Sequence, residues 1–275
     1  MGELQGKTAI ITGASAPKGI GRATALKLSQ LGANVVITDL TQLVKIDGIE
    51  YARMDLLGEV CAEIEKGGGH ALALPLDVTK PYDISSCIEK AISVFGGVDI
   101  LVNNAGSPEG ADNFLSTTPD QWETSFRVNL LGPMMMAQAV IPEMKKRGGG
   151  RIINIGSIRS LGVEPGFGAY TAMKHGLVGL SKTLAAEFGV DGILCNTICP
   201  GYIATDLHMA ANQRLASESG LSLDDIKSKR YASVALRDAG LPSDVANAVA
   251  YLAGPQSNCT TGINLPLTGG VATGV

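Results

Sequence analysis

The chain has 275 residues, of which 45% are hydrophobic and only 4% aromatic, and it carries 35 glycines, a balance that suits helices packed closely on a sheet better than an all-β design. Its formal charge of -4 argues against a nucleic-acid or anionic-membrane surface and leaves a small molecule or another protein as partner. One α/β domain over residues 1–275 is the simplest organisation, large enough to bury a substantial core.

Cys61, Cys87, Cys195, Cys199 and Cys259 form an odd set with no C-x-x-C and no nearby pair of histidines, so neither a disulfide framework nor a metal site is predicted. Free thiols in a reducing cytosol are expected. The N-terminal residues lack an apolar signal core, and no uncharged apolar run approaches the ~18 residues of a membrane span. A soluble, cytoplasmic protein is the expectation.

In chain order, an apolar β-rich run at 8–12 leads through a glycine-rich loop into a helical pattern at 21–31. Strand patterns at 34–39, 70–76, 100–103, 151–155 and 193–198 then alternate with helical ones at 51–66, 82–94, 119–146 and 169–188. A helix at 243–253 and a last strand near 262–267 close the chain. Such alternation requires crossover connections, hence a doubly wound parallel sheet with helices on both faces. The one long departure, at 202–241, is polar and partly helical, as a lid over a substrate usually is.

Two constellations carry chemistry. The loop "ITGASAPKGIGRA" joins the first strand to the first helix, where glycines let backbone N–H groups approach a pyrophosphate at the positive end of a helix dipole. Asp39, at the end of the second strand and about 20 positions beyond the loop, stands where an acid would hold an adenosine ribose. In "GAYTAMKHG", Tyr170 and Lys174 lie four apart, on one helix face. An adjacent ammonium favours the phenolate, so the pair reads as a proton-transfer device, although a surface Tyr and a surface Lys also meet this spacing by chance.

Together these residues resemble the short-chain dehydrogenase/reductase family over about 6–270, nearly the whole chain. "TGASAPKGIG" is similar to its T-G-x-x-x-G-x-G cofactor motif with two extra residues, "NNAG" to its fourth-strand motif and "YTAMK" to Y-x-x-x-K. Ser157 lies 13 positions before Tyr170, as the family places its serine, and Asn129 in "FRVNLLGP" fits its active-site asparagine. "PGYIAT" resembles the segment that closes over nicotinamide, whereas "PLTGG" departs from the family's V-D-G-G and leaves any contact inferred from that motif in doubt.

The resemblance implies a single Rossmann-like domain of about seven strands and an oxidoreductase transferring hydride between NAD(H) and a secondary alcohol or ketone. It implies that Tyr170 exchanges the proton, Ser157 holds the substrate oxygen, and Lys174 binds the nicotinamide ribose while lowering the tyrosine pKa. Asn129 has a local reason to matter: Pro133, four residues on, has no N–H for its carbonyl, which would be free to hold a water in a proton path from Lys174. An ordinary proline kink is the alternative. The implied cofactor residues are Gly13, Ser15, Lys18, Gly19, Ile20, Gly21, Asp39, Asp77, Val78, Asn104, Ala105, Gly106, Tyr170, Lys174, Pro200, Gly201, Ile203 and Thr205. Asp77 and Val78 would meet adenine, and Asn104 would steady the central strand.

NAD is expected over NADP, by about tenfold in kcat/KM, because Asp39 would face a 2′-phosphate at ~4 kcal/mol per like-charge contact at an effective dielectric near 20. Lys18 opposes this but is flexible and solvated, Leu40 adds no cation, and NADP use remains open. The two extra loop residues are expected to bulge beside the adenosine end. A carrier-protein-linked 3-oxoacyl reductase using NADPH is the alternative activity, and a non-catalytic nucleotide sensor a third. Arg159, Glu109, His208 and Met209 should rim the pocket; Arg159 is either an anion ligand or a surface or subunit-bridging residue paired with Glu164. His70 and His175 read as surface or packing residues, and Met134–Met136 as core or subunit contacts. The family resemblance implies a homotetramer built on the two longest helices.

Overall fold

A computed structural model describes residues 2–46 and 48–271. Strand β1 (Thr8–Thr12) enters helix α1 (Ile20–Gln30), and β2 (Asn34–Asp39) follows. A short antiparallel hairpin, β3 (Leu43–Ile46) and β4 (Ile49–Ala52), then precedes α2 (Arg53–Lys66). The chain continues through β5 (Ala71–Pro75), α3 (Pro81–Phe95), β6 (Ile100–Asn103) and α4 (Pro119–Phe126), whose last turn runs into a π-helical turn (Arg127–Leu131) and α5 (Gly132–Lys146). Next come β7 (Gly150–Ile155), α6 (Gly168–Phe188), β8 (Ile193–Pro200), α7 (Asp206–Ser219), α8 (Leu223–Arg230), α9 (Pro242–Ala253) and β9 (Asn264–Leu267).

Seven strands form one sheet in the order β5-β2-β1-β6-β7-β8-β9, every neighbouring pair parallel. Side-chain alternation divides its apolar content between two cores. Ile11, Val35, Ile37, Val102 and Ile153 face a layer built with α1, α2 and α9, while Ile10, Val36, Leu101 and Ile152 face α3 and α5. Both faces of the sheet are therefore covered, and the doubly wound Rossmann-like architecture is present. The strand order reverses between β1 and β6, which opens a crevice at their carboxyl ends. Met136 lies fully inside the second core.

Two expected elements differ. The helix expected from residue 51 begins at Arg53, because Tyr51 and Ala52 pair with Val44 and Leu43 in the hairpin. The sequence carried a signal for it, Asp47-Gly48 between apolar runs, which is a strong two-residue turn motif. The helix expected over 119–146 is interrupted by the π-turn, since Pro133 supplies no N–H to Asn129 and the ladder must widen around that position.

Candidate active site

The glycine loop and the "NNAG" loop meet at the switch point. Gly13 sits at φ +68°, and a Cβ there would lie 2.9 Å from Ala105 Cα. At Gly21 a Cβ would come within 2.6 Å of the Gly13 carbonyl oxygen and 2.7 Å of Asn104 Nδ2. Only glycine permits this approach, and it leaves an open backbone cradle against the start of α1, where Gly19 is the cap and Ile20 the first residue. Asn104 ties β6 to the loop by donating its side-chain amide to the carbonyls of Thr12 and Gly13, both at 2.8 Å, while Thr12 Oγ1 accepts from the N–H groups of Asn104 and Ala105. These residues fit a dinucleotide: an uncluttered backbone concavity, a helix N-terminus and an acid at the end of β2.

That acid has a partner the sequence did not disclose. Asp39 is 8% exposed; its Oδ2 accepts from Ser15 N–H at 3.0 Å, and its Oδ1 from Leu40 N–H at 2.9 Å and from Arg53 Nη1 at 3.2 Å. Arg53 Nη1 also donates to Ser15 Oγ at 3.2 Å, and its buried Nε has no hydrogen-bond partner. Leu40 adds no cation, as expected, but the hairpin delivers one in Arg53 from the first turn of α2. Lys18 also has a backbone partner remote in sequence. Its N–H donates to Asp206 Oδ2 at 2.8 Å, so the loop between Gly13 and Gly19 touches the start of α7.

Farther along the crevice, Asp77 spends Oδ1 on the N–H and hydroxyl of Thr79 at 3.0 and 2.7 Å. Burial raises its carboxyl, but Thr79 and Lys80 outweigh that and hold it below the ordinary value. Val78 is buried beside Gly132, where a Cβ would meet its Cγ2 at 2.9 Å. Pro200 ends β8, the Gly201 N–H donates to Leu267 O at 2.9 Å, and Ile203 bridges Gly240. Thr205 caps α7 by accepting from the His208 N–H at 3.3 Å.

The proton-transfer residues converge from β7, α6 and the π-turn. Lys174 donates to Ile155 O at 2.8 Å, and its Nζ lies 5.6 Å from the centre of the Tyr170 ring. A Cβ on Gly106 would lie 3.2 Å from Asn129 Oδ1 and 3.8 Å from Lys174 Nζ, so strand end, π-turn and helix share one small space. Asn129 is fully buried; its Nδ2 donates to Ser107 O at 2.9 Å and Ser125 O at 3.1 Å, while Oδ1 accepts from Ser107 N–H at 3.2 Å. Its side chain therefore holds the loop after "NNAG". Ser157 Oγ accepts from Arg159 N–H at 3.1 Å.

Burial dominates the electrostatics of both members of the pair. Burial pushes the Tyr170 phenol above its usual value, and the groups that oppose this are the Ser157 hydroxyl and the Arg159 guanidinium, not Lys174. Burial pulls the Lys174 ammonium down to about 8, with Cys199 acting the other way. With its pKa near 8 the lysine still carries its charge at neutral pH but gives up the proton more readily than a solvated ammonium.

Around the mouth, Arg159 is paired with Glu164 and stacks 5.4 Å from the Phe167 ring centre. Glu109 is exposed, as are His70 and His175. His208 is bonded to Tyr231 Oη at 2.8 Å, and burial, aided by Arg230, pulls its pKa down to about 4.

Comparison with known proteins places these observations in a family. A family model described as enoyl-(acyl carrier protein) reductase matches residues 13–272. A 3-oxoacyl-[acyl-carrier-protein] reductase of Staphylococcus epidermidis is 34% identical, the alignment covering 96% of this chain and 98% of the relative. A D-beta-hydroxybutyrate dehydrogenase of Rhizobium meliloti is also 34% identical, with 96% and 98% covered. Among solved structures, a 7 alpha-hydroxysteroid dehydrogenase complexed with NADH and 7-oxo glycochenodeoxycholic acid superposes with a TM-score of 0.84 at 32% identity, covering 98% of this chain and 96% of that one. An actinorhodin polyketide ketoreductase with NADPH gives 0.86 at 29% identity, covering 96% and 97%.

Proposed function

Because this chain belongs to the short-chain dehydrogenase/reductase family, we propose that Tyr170, Ser157, Lys174 and Asn129 are the machinery by which it interconverts a secondary alcohol and a ketone. The protein is an NAD(P)-dependent oxidoreductase of the alcohol dehydrogenase/ketoreductase kind. The nicotinamide, when bound, supplies or accepts the hydride. Tyr170 gives its phenolic proton to the carbonyl oxygen in reduction and takes it back in oxidation, and Ser157 holds that oxygen. Lys174 replenishes the proton from its buried place beside Gly106, and Asn129 fixes the loop that forms the wall opposite. Gly13, Gly19, Ile20, Gly21, Asn104, Ala105 and Gly106 form the cradle, with Asp39 as ribose acceptor favouring NAD, and Pro200, Gly201, Ile203 and Thr205 as the nicotinamide side. The excursion over 202–241 serves as the lid.

The observation that carries this reading is the meeting of Tyr170, Ser157 and Lys174 beside a glycine cradle that a Cβ would fill. Replacing Tyr170→Phe keeps the ring and removes the proton; kcat in a screen of ketones and alcohols should fall by about 10²–10⁴-fold, with cofactor affinity nearly intact. Near-normal kcat in that variant would refute the mechanism. A carrier-protein-linked substrate is the second reading, favoured by Lys227, Lys229 and Arg230 in the last turn of α8 and by the activity named for the staphylococcal relative. It requires faster turnover of a carrier-bound 3-oxoacyl group than of the free thioester. A cytoplasmic homotetramer completes the proposal. Among the described residues, no helix is long and apolar enough to cross a membrane.

A further inference from the structure

The excursion over 202–241 brings a second guanidinium to the mouth of the pocket. A cavity of about 220 Å³ is lined by Ile158, Arg159, Glu164, Tyr202, Ser233 and Val271 among others. Ile158 and Arg159 follow Ser157 directly, and the Arg159 N–H donates to Ser157 Oγ, so this cavity borders the loop of the proposed catalytic serine. Arg230, at the end of α8, lies with its guanidinium 5.2 Å from the centre of the Tyr202 ring and donates to Asn212 Oδ1.

Two cations here share one carboxylate. Glu164 pairs with Arg159, while no carboxylate among the described residues lies within ion-pair distance of Arg230, whose polar partner is a neutral amide. Burial first, and the Arg230 charge after it, weakens the hold of Arg159 and of His208 on their protons, so His208 is neutral at physiological pH and adds no compensation or further charge. Arg159 Nε is buried and donates to nothing among the described residues. A planar guanidinium with an unspent donor, half-buried beside a second cation, is the arrangement that recognises a carboxylate through charge-assisted hydrogen bonds.

We propose that the carbonyl substrate carries its own carboxylate, which binds in this cavity on Arg159, with Arg230, stacked on the lining Tyr202, adding its charge, and thereby sets the distance from the acid group to the carbon that Tyr170 serves. The substrate class is a small oxo acid or hydroxy acid. Glu164 holds Arg159 when the cavity is free of ligand and yields it to the incoming carboxylate. The proposal rests on the ketoreductase reading above.

The test compares 2-oxobutanoate, 3-oxobutanoate and 4-oxopentanoate, each against its methyl ester, in cofactor-coupled assays of the full chain. At least one acid should exceed its ester by about tenfold or more in kcat/KM. In Arg230→Gln that ratio should fall about tenfold through the KM of the acid, and Arg230→Lys, which keeps the charge, should recover part of it. High salt should raise the KM of the acid and leave that of the ester nearly constant. Isothermal titration of the corresponding hydroxy acid into wild type and Arg230→Gln gives a readout independent of turnover, and circular dichroism verifies that the variant is folded. Equal turnover of acid and ester in all three pairs, or a ratio unmoved in Arg230→Gln, overturns the carboxylate site and leaves the ketoreductase reading standing. Turnover of neither acids, esters nor simple ketones and alcohols overturns both.

Discussion

Tyr170 owes its chemical character to burial, which Ser157 and Arg159 oppose only in part, and Asp39 meets a guanidinium that the hairpin delivers. For Tyr170 the consequence is a pH profile. Its folded pKa lies above the ordinary value of about 10, so at neutral pH the phenol keeps its proton and is poised as an acid. Ketone reduction should therefore be nearly level through neutral pH and decline only on the alkaline side, while alcohol oxidation, which needs the phenolate, should climb as pH rises from about 7. An oxidation rate that is flat across that range would contradict the assignment. Asp39 shares an oxygen with Arg53, which offsets part of the like-charge repulsion that a bare carboxylate would direct at a 2′-phosphate. Arg53→Gln should widen the NAD preference several-fold, chiefly by weakening NADPH, and Asp39→Ala should reverse or abolish it. Fluorescence titration of both reduced cofactors measures this, and an unchanged ratio in Arg53→Gln would remove Arg53 from cofactor choice.

Elements are fastened together at the end of the sheet opposite the crevice. Asp99, 3% exposed, accepts from Thr8 N–H at 2.9 Å, from Arg147 Nε and Nη2 at 2.9 Å each, and from Lys7 Nζ at 3.1 Å, joining β1, the approach to β6 and the end of α5. Burial alone would raise its carboxyl, but the bonds from Arg147, Thr8 and Lys7 outweigh burial and depress it. A depressed carboxylate contributes stability that is present above its unfolded pKa of about 3.9 and is lost as pH falls through the folded value. Asp99→Asn should cost roughly 1–3 kcal/mol at neutral pH, read as a lower urea midpoint at constant m, and should flatten the acid limb below about pH 4. An Asn variant as stable as wild type at neutral pH would show that Arg147 and Lys7, both partly solvated, contribute nothing there. At the crevice end, the Lys18 N–H to Asp206 bond fastens the glycine loop to α7, and so joins the proposed cofactor cradle to the proposed lid.

At the scale of the molecule, the parallel sheet gathers the proposed cofactor cradle and Ser157 at the carboxyl ends of its strands. The proposed homotetramer predicts a light-scattering mass near four times 28.4 kDa at micromolar concentration. A mass near 28.4 kDa would end that proposal. Half-buried Met134 and Met135 on α5 leave room for a subunit contact, while Met136 is committed to the core.

The alternation of short apolar runs with 3.6-period segments by itself determined the parallel sheet, since strands joined by helices can close only by crossover. The glycine spacing was legible because a strand-loop-helix turn is encoded locally, the i, i+4 spacing put Tyr170 and Lys174 on one helix face, and Ser157 was reached only through the family resemblance. The π-turn was half legible, because Pro133 announced a missing bond but not how the ladder would adjust. What only the tertiary structure decided are the contacts between elements remote in sequence. Arg53 meets Asp39 across a hairpin 14 residues long in sequence separation, Asp206 meets Lys18 across 188, and Arg230 meets Tyr202 across the lid. Each depends on how two separately formed elements pack, and a guanidinium on a flexible stem leaves no periodic trace of where that packing will carry it.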